Sequence, residues 1–130
     1  MARLHDIVFD AARPSAVARF WAAALDGYAV APYDEAELAR LRTLGVLDPA
    51  DDPTVLVEPV GAAGPRVWFQ LVPEGRRGKN RVHLDLRAAD PAAETARLTA
   101  LGARVVARHE GHLVLADPEG NEFCLFPEAG

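Results

Sequence analysis

The sequence predicts an α+β protein made of two βαβββ modules. Three observations predict it: an internal repeat, one amphipathic helical stripe in each half, and a series of short alternating runs that read as strands. The repeat appears twice. "DIVFDAARP" at 6–14 resembles "HLDLRAADP" at 83–91 at an offset of 77. "WFQLVPE" at 68–74 resembles "EFCLFPE" at 122–128, with Phe-X-Leu-X-Pro-Glu shared at an offset of 54. The offsets differ by 23 residues, so the first half carries extra material, visible as "DEAELARLRTLGVLDPADDP". Module 1 is expected over about 4–75, with an inserted helix at about 34–45, and module 2 over about 81–127. Together they make a single domain spanning 1–130.

Each element has a local cause. Residues 4 to 10 alternate as a half-buried strand does, with Ile7 and Phe9 on one face and Asp6, Val8 and Asp10 on the other. Val17, Phe20, Trp21, Ala24 and Leu25 then form one helical stripe, closed by Gly27. The inserted helix opens with Asp34 three residues before Glu37, as in a capping box, and stops at Gly45. In the second half Asp90-Pro91 offers an N-cap and a proline at the first helical position. Leu98 and Leu101 are expected to face inward, and Gly102 ends that helix. Strands are expected at "TVLVEP", "RVWFQLV", "RVVARH", "HLVLA" and "EFCLF", with "DPEGN" as a hairpin turn.

Composition narrows the function. Half the residues are hydrophobic, a quarter are charged, and the net charge is −5, which argues against nucleic acid or an anionic membrane as partner. No apolar run reaches membrane-spanning length, and the N-terminal stretch lacks a secretory h-region. A single cysteine excludes an internal disulfide and suits a reducing cytoplasm. Abundant Ala, Arg and Pro suit a bacterial source.

Alternation also gathers the polar candidates. If Phe69/Phe123 and Leu71/Leu125 face the helices, then Trp68 and Gln70, with Cys124 and Phe126, face away, as do Asp6, His83, Asp85 and Arg87. The repeat pairs Asp6 with His83 and Gln70 with Cys124. His5 adjoins Asp6, and a register shift of one residue would exchange them. "EGRRGKNR" reads as a solvated loop between the modules, and His109 and His112 flank a turn.

"ARFWAAALDGY", "GKNRVHLDLRAADP" and "VLADPEGNEFCLF", in that order and spacing, resemble the vicinal oxygen chelate superfamily. This is the glyoxalase / bleomycin-resistance / extradiol-dioxygenase group, here its glyoxalase-like domains. The resemblance covers about 4–126, less the inserted helix. It implies a cupped, mixed-sheet fold with helices on the convex face, holding a metal and a small substrate. Metal ligands in that family come from the first and last strands of each module, which by motif are Asp6, Gln70, His83 and Cys124. Cys124 stands where the family has glutamate, and Asp6 where it has His or Gln. The carboxylate base of a glyoxalase and the two-His-one-carboxylate set of an iron oxygenase are therefore both incomplete.

The expectation is a glyoxalase/bleomycin-resistance-like protein that binds a small molecule in the cup without an intact catalytic metal site. Trp68, Gln70, His83, Asp85, Arg87, Cys124 and Phe126 are its ligand-binding candidates; no catalytic residue is assigned. The alternatives are a metal-dependent lyase, isomerase or dioxygenase with an altered ligand set, and a dimerisation or partner-binding domain with a vestigial cup. No cofactor is firmly implied; a divalent Zn, Fe, Mn or Ni ion is the candidate. A homodimer is expected, with modules paired within one chain or across the two.

Overall fold

The computed structural model describes residues 1–128. The chain divides into two compact units, Met1–Gly75 and a second beginning at Arg76. The first contains β1 (Asp6–Ala11), α1 (Pro14–Ala24), β2 (Tyr28–Val30), α2 (Glu35–Thr43), β3 (Thr54–Pro59) and β4 (Arg66–Leu71). The second contains β5 (Leu84–Ala88), α3 (Pro91–Leu101), β6 (Arg104–His109), β7 (His112–Ala116) and β8 (Glu122–Pro127). The sheet orders are β1-β4-β3-β2 and β5-β8-β7-β6, the same topology twice. In each, the first and last strands pair parallel and the other pairs are antiparallel. This confirms the α+β class and the two βαβββ modules.

Sequence patterning missed β2. It is three residues long, and its Tyr-Ala-Val offers too short an alternation to register. The helix boundaries fall where their caps put them. Asp34 accepts from the Glu37 amide at 2.9 Å, and Asp90 from the Ala93 amide at 3.1 Å. Gly45 and Gly102 end α2 and α3 at φ of +75° and +121°, a region that disfavours any residue with a Cβ.

The first core lies between α1 and its sheet. Val17, Phe20, Trp21 and Ala24 bury one helical stripe against Val55, Val57, Val67 and Phe69. Phe9 sits 5.2 Å from Phe69 and 5.8 Å from Trp21 between ring centroids, while Phe20 meets Trp21 edge-on at 88°. In the second unit Leu98 of α3 is fully buried, as are Leu115, Phe123 and Leu125 of the sheet.

Two expectations about the cores need correction. Leu101 is 39% exposed, because it is the last residue of α3 and the chain turns away at Gly102; Ala103 is buried instead. Leu71 is 55% exposed and does not match Leu125, which is buried. The cause is register. β1 pairs Ile7 with Val67 and Phe9 with Phe69, whereas β5 pairs Leu84 with Phe123 and Leu86 with Leu125. Ile7 and Leu84 correspond across the repeat, so Val67 is the counterpart of Phe123, and Phe69 that of Leu125. The Phe-X-Leu-X-Pro-Glu likeness is thus two residues out of structural step. A slip of two keeps every side chain on its face, which is why hydrophobic patterning does not detect it.

Phe69→Ala and Phe123→Ala should each cost about 3–5 kcal/mol in urea titrations, as buried aromatic truncations do. Gln70→Ala, at an exposed position, should cost far less. A reversed ranking would mean that the two faces of β4 are exchanged.

Candidate functional site

The candidate residues lie on the sheet face that each unit turns away from its helix. In the first unit that face carries Asp6, Arg66 and Trp68. The Asp6 carboxylate accepts from Arg66 Nε at 2.9 Å, Arg66 Nη2 at 3.0 Å and Trp68 Nε1 at 3.0 Å. The Arg66 guanidinium also lies 5.7 Å from the Trp68 ring centroid. Hydrogen bonds from Arg66, helped by the indole N–H and by the Arg66 charge, hold the Asp6 carboxyl below the ordinary carboxylate range against the opposing effect of desolvation. His5 precedes the strand, is largely exposed, and places Nε2 2.8 Å from Arg66 Nη2.

Gln70 is not where the repeat predicts it. The register pairs Gln70 with Asp10, and its amide donates to Asp10 Oδ1 at 2.8 Å. Asp6 lies four residues away along the parallel pair, roughly 13 Å at strand rise, too far for Asp6 and Gln70 to share an ion. Trp68, opposite Val8, occupies the place that Cys124 holds opposite Asp85. The position implied for a metal ligand on β4 therefore holds an indole, which is a donor only and cannot ligate.

The second unit brings three candidates together. His83 Nε2 is 3.2 Å from Asp85 Oδ1. One ligand atom each from His83, Asp85 and Cys124 lies within 4.8 Å of the other two. Cys124 is part-buried and Asp85 is its partner directly across the β5–β8 ladder. Burial first, then the charge and hydrogen bond of Asp85, push the thiol above its usual range. At neutral pH it is protonated, an S–H donor to a carboxylate and not a nucleophilic thiolate. By chemistry all three side chains are zinc ligand types, and an ion there would take the thiol's proton away. Asp85 is the member of this set that motif matching did not assign to the metal.

Beside this cluster runs a row of planar groups across all four strands. The Arg87 guanidinium lies 5.8 Å from the Phe126 centroid, Phe126 stacks on His112 at 4.8 Å, and His112 stacks on His109 at 4.9 Å. Arg87 Nη1 also donates to the Pro127 carbonyl at 2.9 Å. The two-residue turn Glu110–Gly111 brings the histidines opposite each other. "EGRRGKNR" is an exposed loop tied to β8 by Lys79–Glu122 at 3.1 Å and by Asn80, which accepts from the Glu122 amide at 3.0 Å. "DPEGN" is a turn whose buried Asp117 accepts from the Glu119 and Asn121 amides.

One feature of the first unit left no signal in the sequence. A cavity of about 400 Å³ lies between α2 and the face of β3 and β4 that bears Trp68. Tyr33, Glu37, Arg40 and Asp52 line it with Leu56 and Trp68. Asp52 reads in the sequence as one of several turn aspartates. In the structure it is buried and accepts from Tyr33 Oη at 2.8 Å, Arg40 Nη2 at 3.3 Å and the Thr54 amide at 2.9 Å.

Two sheets of the same βαβββ order define the fold class of the glyoxalase/bleomycin resistance protein/dioxygenase superfamily. Solved structures agree. The fosfomycin resistance protein FosX from Mesorhizobium loti superposes with a TM-score of 0.66 at 13% identity, over 97% of this chain and 91% of that one. A glyoxalase/bleomycin resistance protein/dioxygenase family enzyme from Burkholderia phytofirmans gives 0.63 at 15%, over 98% and 100%. A superfamily member from Sphaerobacter thermophilus gives 0.60 at 22%, over 98% of both chains. At such identities these likenesses establish the fold alone. Curated proteins compared by sequence give no match. The family model of the glyoxalase-like domain matches residues 6–126, and the chain belongs to that family.

The lowered Asp6 carboxyl gives a pH prediction. Its contribution is in full force above the unfolded carboxylate value near about 3.9 and fades as pH falls through its lower folded value. Asp6→Asn should therefore lower the urea midpoint at neutral pH, with the gap closing toward about pH 2. A gap that persisted there would assign the effect to packing.

Proposed function

We propose that the chain is a small-molecule-binding protein of the glyoxalase/bleomycin-resistance type that does not depend on a catalytic metal. One observation supports this most directly. Of the four places on or beside β1, β4, β5 and β8 where the family carries metal ligands, one holds an aspartate clamped by Arg66, one an indole, and one a cysteine where the family has glutamate. No carboxylate base stands at Cys124, so proton abstraction next to a metal-bound carbonyl lacks its agent. What remains is suited to recognition. His83, Asp85 and Cys124 offer donors and acceptors, and Arg87, Phe126 and His112 offer planar surface. The first unit, taken by itself, offers the Trp68 ring as flat apolar surface. The lone cysteine suits a cytoplasmic protein.

Protein purified without chelator should carry well under one equivalent of Zn, Fe, Mn or Ni by elemental analysis. Cys124→Glu should raise affinity for a divalent ion by adding a hard oxygen donor beside His83 and Asp85, and His83→Ala in that background should abolish the gain.

The second reading is a metal-dependent enzyme of altered ligand set, favoured by the convergence of His83, Asp85 and Cys124 within 4.8 Å. In that case the wild type holds stoichiometric metal that His83→Ala or Cys124→Ala releases, and the metal-independent reading is wrong.

The same proposal includes a homodimer. Each four-stranded sheet has two edge strands, and exposed edges favour pairing with a second copy. Light scattering should return twice the 14.0 kDa chain mass, and the chain mass itself would reject the dimer.

A further inference from the structure

The α2-roofed cavity of the first unit is built from material that the second unit lacks. Where β6 and β7 are joined by two residues, β2 and β3 are joined by 31–53, which folds α2 over the sheet. That helix is not there for a large core of its own, since Leu41 is its one buried residue. Three donors engage both oxygens of the buried Asp52, so it pins residues 33, 40 and 54 around the cavity. Burial and the Asp52 carboxylate push the Tyr33 phenol well above its usual range, so its proton stays committed to Asp52. At about 400 Å³ the space is within the range of small-ligand pockets.

The walls select the ligand. Leu56, Ala31, Pro32 and the Trp68 ring are apolar and partly flat, which suits a planar body. Arg40 is the one cation in the lining, and it already bridges two carboxylates, Glu37 at 3.0 Å and Asp52 at 3.3 Å. The lining thus keeps one net negative charge. Glu37 Oε2 takes the Arg40 bond, and its Oε1 has no hydrogen bond among the described residues. The surroundings have the same sign: residues 1–75 hold eleven Asp and Glu against six Arg and Lys, whereas residues 76–130 hold eight of each. All of the net charge of −5 therefore belongs to the first unit, where it attracts cations.

We propose that this cavity binds a small organic cation with a flat apolar body, its ring against Trp68 and its cationic nitrogen at Glu37. The choice against an anion follows from Arg40 being already paired, and the choice against a purely neutral ligand from the unmatched Glu37 oxygen.

Three probes of one shape test it on the full chain: naphthylmethylammonium, naphthalenemethanol and naphthoate. The two tryptophans give two indole N–H signals in a proton–nitrogen correlation spectrum. The cation should shift the Trp68 signal and leave that of core Trp21 in place. It should bind about tenfold more tightly than the alcohol, the worth of one charge-assisted hydrogen bond, with naphthoate weakest. Glu37→Gln should remove that advantage and leave the alcohol unchanged, while Asp26→Asn, an exposed acid of the same unit outside the cavity lining, should alter none of the three. Tighter binding of naphthoate than of the cation would overturn the proposal. So would an unchanged cation affinity in Glu37→Gln, a loss of it in Asp26→Asn, or no Trp68 shift with any probe.

Discussion

The parallel pairing of the first strand with the last strand of each unit is the constraint on which the rest depends. It sets which residue of β4 stands beside which residue of β1, and likewise for β8 and β5. Side-chain alternation then sends one set under the helix and the other onto the open face. In the first unit the register is locked by bulk. Phe9, Phe69 and Trp21 form one aromatic contact group, and a slip of β4 by two residues would put exposed Leu71 in place of Phe69. In the second unit the corresponding layers are Leu84 with Phe123 and Leu86 with Leu125.

That register decides the chemistry of the open faces. The place occupied by Asp6 in the first unit and His83 in the second has a neighbour on the last strand: Trp68 in one, Cys124 in the other. Asp6 and Trp68 answer each other with a carboxylate–indole hydrogen bond, reinforced by Arg66. His83 and Cys124 converge through Asp85. The first pair is electrostatically closed, because three donors occupy the carboxylate. The second keeps lone pairs and a thiol, so of these two places it is the one with polar atoms left for an ion or a polar ligand group. At these two corresponding places the repeat has diverged, one satisfying its polar groups internally and the other leaving them available.

The inserted segment adds a separate layer of organisation. Buried Asp52 gathers Tyr33, Arg40 and the Thr54 amide, and this single carboxylate holds the roof of the cavity beside Trp68. A buried charge is tolerable because both carboxylate oxygens accept hydrogen bonds and Arg40 compensates it. Removing one donor would leave a desolvated carboxylate, so the cluster acts as a unit.

By itself the sequence determined the α+β class, the two modules, most elements and their faces. These follow from local rules: Asp34 and Asp90 as caps, Gly45 and Gly102 as stops, and alternation at positions such as Phe9 and Phe123. It also brought His83, Asp85 and Cys124 onto one face. Only the tertiary structure decided the step between strands. Alternation has a period of two, so a two-residue slip leaves every face intact, and the repeated Phe-X-Leu-X-Pro-Glu pointed to Gln70 where the register places Trp68. Asp52 was equally out of reach, because a buried aspartate and a turn aspartate are the same letter until Tyr33, Arg40 and Thr54 arrive from elsewhere in the chain. Pattern fixes which way a side chain points, and long-range packing fixes what it meets there.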